Sequence, residues 1–248
     1  MIIGIDIGGT KINFGCLKDD NIVGKVITHK TPRTAEGIIN AFCTGIEELS
    51  AKNPVKAIGI ATAGTVDLEN SKVTGSTGNM PDGYKNLEIK KILEEKFQIP
   101  VFVENDANAA AYAEFKAGNA KGHNNTITIT LGTGIGGGII ADGKLVRGRT
   151  GAGAEVGHIP IALGEHRQCS CGSWNCWEAY ASGTGYATNA REMAAQVPVS
   201  RREGVLKGDI EGLTTHVLID ALKKGDPFAK SVHELWEDYL SLGIAALI

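Results

Sequence analysis

Short apolar runs of alternating pattern and longer helical stretches take turns along this chain. The opening reads as strand, glycine turn, strand, strand: IIGIDI (2–7), then GGTKI, NFGCLK (13–18) and IVGKVITHKT (22–31). Glycine pairs between short β-rich runs predict a hairpin. A helix is expected over 34–51 and a short buried strand over 56–62 (KAIGIAT). Residues 63–85 are rich in Gly, Asn, Ser and Pro and read as loop. A helix over 87–97 leads into the strand PVFVEN (100–105), and an alanine-rich helix, DANAAAYAEFKAG, starts at Asp106 and stops at Gly118. NTITITL (125–131) alternates as a strand, GTGIGGG (132–138) follows as loop, IIADGKLV (139–146) is strand-like, and the tail over 214–248 is helical. Such alternation predicts an α/β protein. The expected division is a smaller α/β domain over 1–115 and a larger one over 116–248. The tail ends in SLGIAALI, apolar to its last residue, a face that should pack on something further along, so the C-terminal part of the larger domain is expected to be missing.

Composition narrows the partners. The 248 residues are 42% hydrophobic and 21% charged, ordinary for a globular protein. Glycine is not ordinary: 33 residues, clustered in loops, bring backbone close to something. A formal charge of −3 with no basic stripe argues against nucleic acid. No apolar run reaches the roughly 18 residues of a membrane span, and the start lacks the basic region and cleavage site of a secretion signal. The expectation is a cytoplasmic protein without membrane partners. Of five cysteines, Cys16 and Cys43 stand apart, while Cys169, Cys171 and Cys176 gather near His158, a pattern that suggests metal before disulfide.

Two glycine segments each follow a strand: Gly8-Gly9-Thr10-Lys11, and Gly132-Thr133-Gly134 running on to Gly136 and beyond. Such loops let backbone N–H groups converge on phosphate oxygens. The formal GxGxxG match at Gly132, Gly134 and Gly137 is not a dinucleotide fingerprint, because strand and not helix follows it. Residues 138–144 come close to a P-loop, but Leu145 stands where Ser or Thr must hold the metal. Each loop by itself could be no more than a tight hairpin. A pair of them, one per half, could grip the phosphates of one nucleotide from both sides of a cleft. Asp6 ends the first strand beside its loop, where a carboxylate makes sense if Mg²⁺ lies between it and phosphate.

Asp106 follows a buried strand at the start of the alanine-rich helix. Taken alone this is the place of a helix N-cap. Its position at the carboxyl end of a strand, between the two glycine loops, suits a base that takes the proton of an attacking hydroxyl in phosphoryl transfer. Asn105 could bond the same hydroxyl-bearing molecule, and a helix N-terminus would favour the ionised form of Asp106. The spacing His158-x10-Cys169-x-Cys171-x4-Cys176 supplies a Cys₃His set suited to structural Zn²⁺. Glu155 and Glu178 flank these ligands, so the metal would fix two carboxylates able to accept from vicinal sugar hydroxyls. The free ring nitrogen of a metal-bound His158 needs an acceptor, for which a sugar hydroxyl serves.

These residues together resemble the ROK family, a group of bacterial sugar kinases and sugar-responsive repressors in the actin/hexokinase superfamily. The likeness runs through Asp6-Ile-Gly-Gly-Thr-Lys11, Glu104-Asn-Asp-Ala-Asn-Ala-Ala-Ala111, Leu131-Gly-Thr-Gly-Ile-Gly-Gly-Gly138, Glu155-Val-Gly-His158 and Cys169-Ser-Cys-Gly-Ser-Trp-Asn-Cys-Trp-Glu178. It implies a two-domain actin-like (ribonuclease H-like) ATPase fold with an interdomain cleft. It implies ATP and Mg²⁺ at Asp6, Gly8, Gly9, Thr10, Lys11, Gly132, Thr133, Gly134 and Gly136, and structural Zn²⁺ on His158, Cys169, Cys171 and Cys176. Asp106 becomes the catalytic base, with Gly64, Asn79, Asn105, Asp106, Glu155, His158 and Glu178 as sugar contacts. Asn175 stands where the family usually has Gly. The glucokinase branch is the expectation, with phosphorylation of glucose at O6 and a homodimer or larger oligomer. An N-acetylmannosamine or N-acetylglucosamine kinase is the alternative, and a sugar-sensing repressor lacking its DNA-binding module a third.

Overall fold

The computed structural model describes residues 1–18, 21–51, 54–75 and 80–248. The chain falls into two compact units, 1–128 with 138–154, and 129–137 with 155–248. The divisions between the units fall after residues 128, 137 and 154.

The first unit is built on a five-stranded sheet. β1 (Ile2–Ile7) pairs antiparallel with β2 (Lys11–Lys18), and β2 with β3 (Asn21–Lys30). On its other edge β1 pairs parallel with β4 (Ala57–Thr62), and β4 with β7 (Val101–Asn105), giving the order β3-β2-β1-β4-β7. The pleat sends Ile3, Ile5 and Ile7 to one face and leaves Asp6 on the other. That apolar face packs with Ile38, Phe42 and Ile46 of α1 (Ala35–Ser50), spaced four apart, and with Ile89 and Leu93 of α2 (Ile89–Phe97). α1 is capped by Thr34, whose hydroxyl accepts from Gly37 N at 3.1 Å. The 63–85 stretch is not wholly loop: β5 (Thr65–Val66) and β6 (Val73–Gly75) pair within it. Asn79 lies outside the described residues.

α3 (Asp106–Ala117) follows β7 without a break. β8 (Thr126–Leu131) and β9 (Ile135–Ala141) carry the chain into the second unit and back, and β10 (Lys144–Leu145) folds onto β9. The run Gly136–Gly138 therefore lies in strand β9, not in the loop, which ends at Gly134; consecutive glycines alone cannot tell turn from strand.

The second unit holds α4 (Trp177–Ala181), α5 (Gly183–Ala195), α6 (Thr215–Lys223) and α7 (Pro227–Ala245). Tyr186, Ala190, Leu206, Leu218 and Val232 form its apolar centre. The tail expected as one helical stretch is two helices. Pro227 cannot continue α6, and Asp226 caps the new helix by accepting from Ala229 N at 2.9 Å. No helix among the described residues is long and apolar enough to cross a membrane.

Candidate functional site

The first glycine turn closes on itself, with Gly8 N–H donating to Lys11 O at 3.0 Å. Its outward carbonyls are held by one buried residue just past β3. Thr31 donates its hydroxyl to Gly8 O at 2.7 Å and its N–H to Thr10 O at 3.0 Å. That leaves the N–H groups of Gly9 and Thr10 without a protein acceptor among the described residues. Asp6 sits two residues before the turn, exposed and steadied by Asn13 Nδ2 at 3.1 Å, while Asn13 Oδ1 accepts from Thr28. Lys11 is exposed at the start of β2.

At the start of α3 the sequence expectation needs two corrections. The N-cap is Asn105, not Asp106: Asn105 Oδ1 accepts from Asn108 N at 3.0 Å. Both types cap well and stand side by side, so composition could not choose between them. Asn105 Nδ2 also donates to Gly64 O at 3.1 Å, which ties β7 to the start of the 63–75 segment. Gly64 has φ +98°, and a Cβ there would lie 2.1 Å from Gly75 O, so only glycine fits. The Asn105 side chain thus serves both as cap and as a tie to Gly64.

Asp106, freed from capping, keeps an exposed side chain whose Oδ1 accepts from Ala107 N at 2.8 Å. Its carboxyl is raised above the ordinary range, by burial first, against the pull of the Ala107 N–H, and with the charge of Asp6 adding to the rise. The helix terminus was expected to favour ionisation; desolvation and a like charge outweigh it. The residue is open to solvent on one side yet crowded on the others, which suits a group that must meet a hydroxyl and accept its proton.

Behind Asn105 stands a network that sequence reasoning missed. Glu104 Oε1 accepts from Asn105 N at 3.0 Å and Asn108 Nδ2 at 3.2 Å. Its Oε2 pairs with Arg147 at 2.5 Å and accepts from Asn70 Nδ2 at 3.1 Å. Arg147 also donates to Asn70 Oδ1 at 2.7 Å, and Asn70 holds a left-handed φ of +55°. Residues 70, 104 and 147 are too far apart in sequence for spacing to reveal them.

In the second unit, Gly132-Thr133-Gly134 repeats the plan of the first turn. Gly132 N–H donates to Gly134 O at 3.0 Å, Gly183 N–H to Gly132 O at 2.8 Å, and Thr184 Oγ1 to Thr133 O at 2.8 Å. The N–H groups of Thr133 and Gly134 are left over among the described residues. A cavity of about 620 Å³ opens from this turn, lined by Gly183, Thr184, Thr215 and His216 on one side and by Tyr186 and Trp236 on another. Arg191 lines it too, with a buried Nε that has no partner among the described residues. None of these cavity residues was singled out from sequence, since only the fold gathers them.

The Cys₃His set converges. The ligand atoms of His158, Cys169, Cys171 and Cys176 all lie within 4.8 Å of one another. Cys171 Sγ is 3.6 Å from Cys176 Sγ, and Cys169 Sγ is 3.7 Å from His158 Nδ1. Tetrahedral Zn²⁺ with S ligands at about 2.3 Å would separate sulfurs by about 3.8 Å, so the spacing fits. Burial and the neighbouring thiols push Cys176 up to about 12, a cost that a divalent cation would offset. The preceding residue, Asn175, adopts φ +57° and is fully enclosed. Its Oδ1 accepts from Arg167 N and Tyr180 Oη, and its Nδ2 donates to Gly164 O at 2.6 Å and Ala162 O at 3.4 Å. Asn thereby keeps the left-handed backbone and adds a staple across the loop. His158 Nε2, on the side away from Cys169, lies 4.0 Å from Glu155 Oε2, and Glu155 is exposed. Glu178 is partly buried; its Oε1 lies 3.7 Å from Cys169 Sγ, and its Oε2 accepts from Ile135 N at 2.9 Å.

The model of the ROK family matches residues 2–248. The chain belongs to the ROK family. It is 38% identical over 252 residues to a glucokinase of Streptomyces coelicolor, covering 100% of this chain and 77% of that protein. The structure of a ROK glucokinase from Streptomyces griseus, solved with glucose and AMPPNP, superposes with a TM-score of 0.81 at 38% identity, over 99% of this chain and 78% of that one. A ROK hexokinase from Thermus thermophilus gives 0.80 at 34% identity, over 99% and 76%. The α/β architecture is that of the ROK glucokinases, and this chain is shorter than they are.

Proposed function

We propose that this ROK protein is an ATP-dependent hexose kinase that phosphorylates the 6-hydroxyl of glucose. The observation that carries the reading is the start of α3. Asn105 takes the cap and the Gly64 carbonyl, so Asp106 is left as an exposed carboxylate of raised proton affinity beside Asp6. A carboxylate so placed accepts the proton of the sugar hydroxyl as it attacks the γ-phosphorus of ATP, and positioning with charge neutralisation supplies most of the rest. The two turns support a nucleotide: each has its carbonyls tied back and two N–H groups unspent, the arrangement that takes phosphate oxygens. Asp6 and the exposed Lys11 are the groups we assign to Mg²⁺ and phosphate. The cavity beyond Gly132 and Thr133 has the size and mixed lining of a nucleoside site.

For the sugar we assign Gly64, Asn79, Asn105, Glu155, His158 and Glu178. The His158 and Cys169, Cys171 and Cys176 set would hold Zn²⁺ as a structural ion that fixes Glu155 and Glu178. Glucose as the acceptor rests on the likeness to glucokinases of two Streptomyces species. The test is a coupled ADP-release assay over a panel of hexoses and N-acetylhexosamines. Glucose-dependent turnover above that with N-acetylmannosamine and N-acetylglucosamine is the expected result. Preference for an N-acetylhexosamine moves the substrate, and sugar binding without turnover on any sugar would point to a sensor.

A further inference from the structure

Ile135, the first residue after the second turn, is gripped by the two segments that carry metal ligands. Its N–H donates to Glu178 Oε2 at 2.9 Å, and Glu178 lies two residues beyond Cys176. Its carbonyl lies against Gly157, the residue before His158, so closely that a Cβ at 157 would sit 2.1 Å from the oxygen. Both Ile135 and Gly157 are buried. Trp177, between Cys176 and Glu178, is fully enclosed and donates its Nε1 to Tyr239 O at 2.9 Å, which fixes the direction in which Glu178 leaves the chain. The Gly132 and Thr133 carbonyls are held by Gly183 and Thr184, Glu178 Oε2 lies against Gly134, where a Cβ would sit 2.1 Å from it, and the N–H groups of Thr133 and Gly134 have no acceptor among the described residues.

A carboxylate next to a phosphate-binding turn is unfavourable as a phosphate neighbour, because like charges repel. Glu178 Oε2 therefore makes sense here as an anchor, which leaves Oε1 for the sugar contact assigned above. It takes the Ile135 N–H and leaves the two preceding amides without an acceptor among the described residues. A charge-assisted acceptor holds that N–H more firmly than a carbonyl would. An ion held by His158 and Cys176 would tie together the two segments that grip Ile135, Gly157 being next to His158 and Glu178 two residues beyond Cys176.

We propose that Glu178 is the positioning residue of the second phosphate turn, and that metal at the Cys₃His site sets nucleotide affinity through it. The nucleotide half of this statement rests on the kinase reading; the anchoring half does not. Two readouts keep them apart: amide hydrogen exchange at Ile135, and binding of a non-hydrolysable ATP analogue with Mg²⁺, measured on the full chain. Glu178→Ala and Glu178→Met, the second keeping volume, should each speed Ile135 exchange and weaken the analogue by about tenfold or more, the worth of one charge-assisted bond. Glu178→Gln, which retains an acceptor oxygen, should stay within about threefold of wild type. Stripping Zn²⁺ from the wild type with a chelator should reproduce the loss, and stripping it from Glu178→Met should add little, because both act on one element. Unchanged Ile135 exchange in Glu178→Ala and Glu178→Met overturns the anchoring. Chelation that weakens the analogue in Glu178→Met as much as in wild type overturns the link to the metal. A wild-type chain that binds no analogue overturns the kinase reading, and with it the nucleotide half, while Ile135 exchange still judges the anchor.

Discussion

In the first glycine turn a single residue, Thr31, holds both outward carbonyls; in the second, Gly183 and Thr184 divide that work and Glu178 is added beside them. The reason lies in what each turn grows from. The first joins the central strands of a five-stranded sheet, and Thr31 arrives on the chain leaving β3, hydrogen-bonded in that same sheet. Sheet register alone delivers the anchor. The second joins β8 to β9 in a sheet of three strands, where Ile127 and Leu131 of β8 are exposed. There the holding groups come from the starts of α4, just past the Cys₃His loop, and α5, more than forty residues along the chain, as the 43-residue span from Ile135 to Glu178 shows. Where a sheet gives little rigidity, a carboxylate and an ion can supply it.

Loss of the metal should separate the turns most. Cys176→Ser removes a buried ligand from the set and should cost roughly 3 kcal/mol of stability or more. Hydrogen exchange should rise across residues 131–137 and stay unchanged across 8–11. Equal loosening of both turns would show that the ion stabilises the whole chain and not one turn.

Next come the threonines. Thr31→Val keeps shape but strands the Gly8 carbonyl in a buried place, at about 1–3 kcal/mol by urea unfolding. Thr184→Val does the same to Thr133 O at an exposed position, where water can replace the hydroxyl, and should cost about 0.5–1 kcal/mol. Equal costs would contradict the difference in enclosure. Asn105→Ala, outside both turns, removes a cap and the hold on Gly64, for about 1 kcal/mol.

The smallest effect is electrostatic. Burial first, and the charge of Asp6 after it, raise the Asp106 carboxyl, so the base ionises above the ordinary carboxylate range. Asp6→Asn removes that repulsion and should move the Asp106 titration, followed by NMR, to lower pH. A shift upward, or none, would remove Asp6 from the account.

Much of this was legible before any coordinates because its chemistry is local. The strands alternate, the turns advertise themselves by glycine, and the four ligands fall within nineteen residues of one another. The alternation could not choose between Asn105 and Asp106 as cap, since both are good caps and sit side by side. Nor could it place Gly136, because a glycine in a strand and one in a turn read alike. The break at Gly225-Asp226-Pro227 is local chemistry too, a capped proline start between two helices. What no spacing could show is the long-range wiring: Arg147 to Asn70 and Glu104, Glu178 to Ile135, and the cavity lined by residues from 131 to 236. Those contacts exist only once the sheets and helices have assembled.

The central claim is that Asp106 takes the proton from the sugar, and one paired measurement tests it. Glucose affinity and ATP-dependent turnover are compared in wild type and in Asp106→Asn, which keeps the side-chain oxygen that accepts from Ala107 N. The account predicts glucose binding within about threefold and a fall in kcat of about a thousandfold, within the range a general base supplies. Near-normal turnover in Asp106→Asn would contradict it.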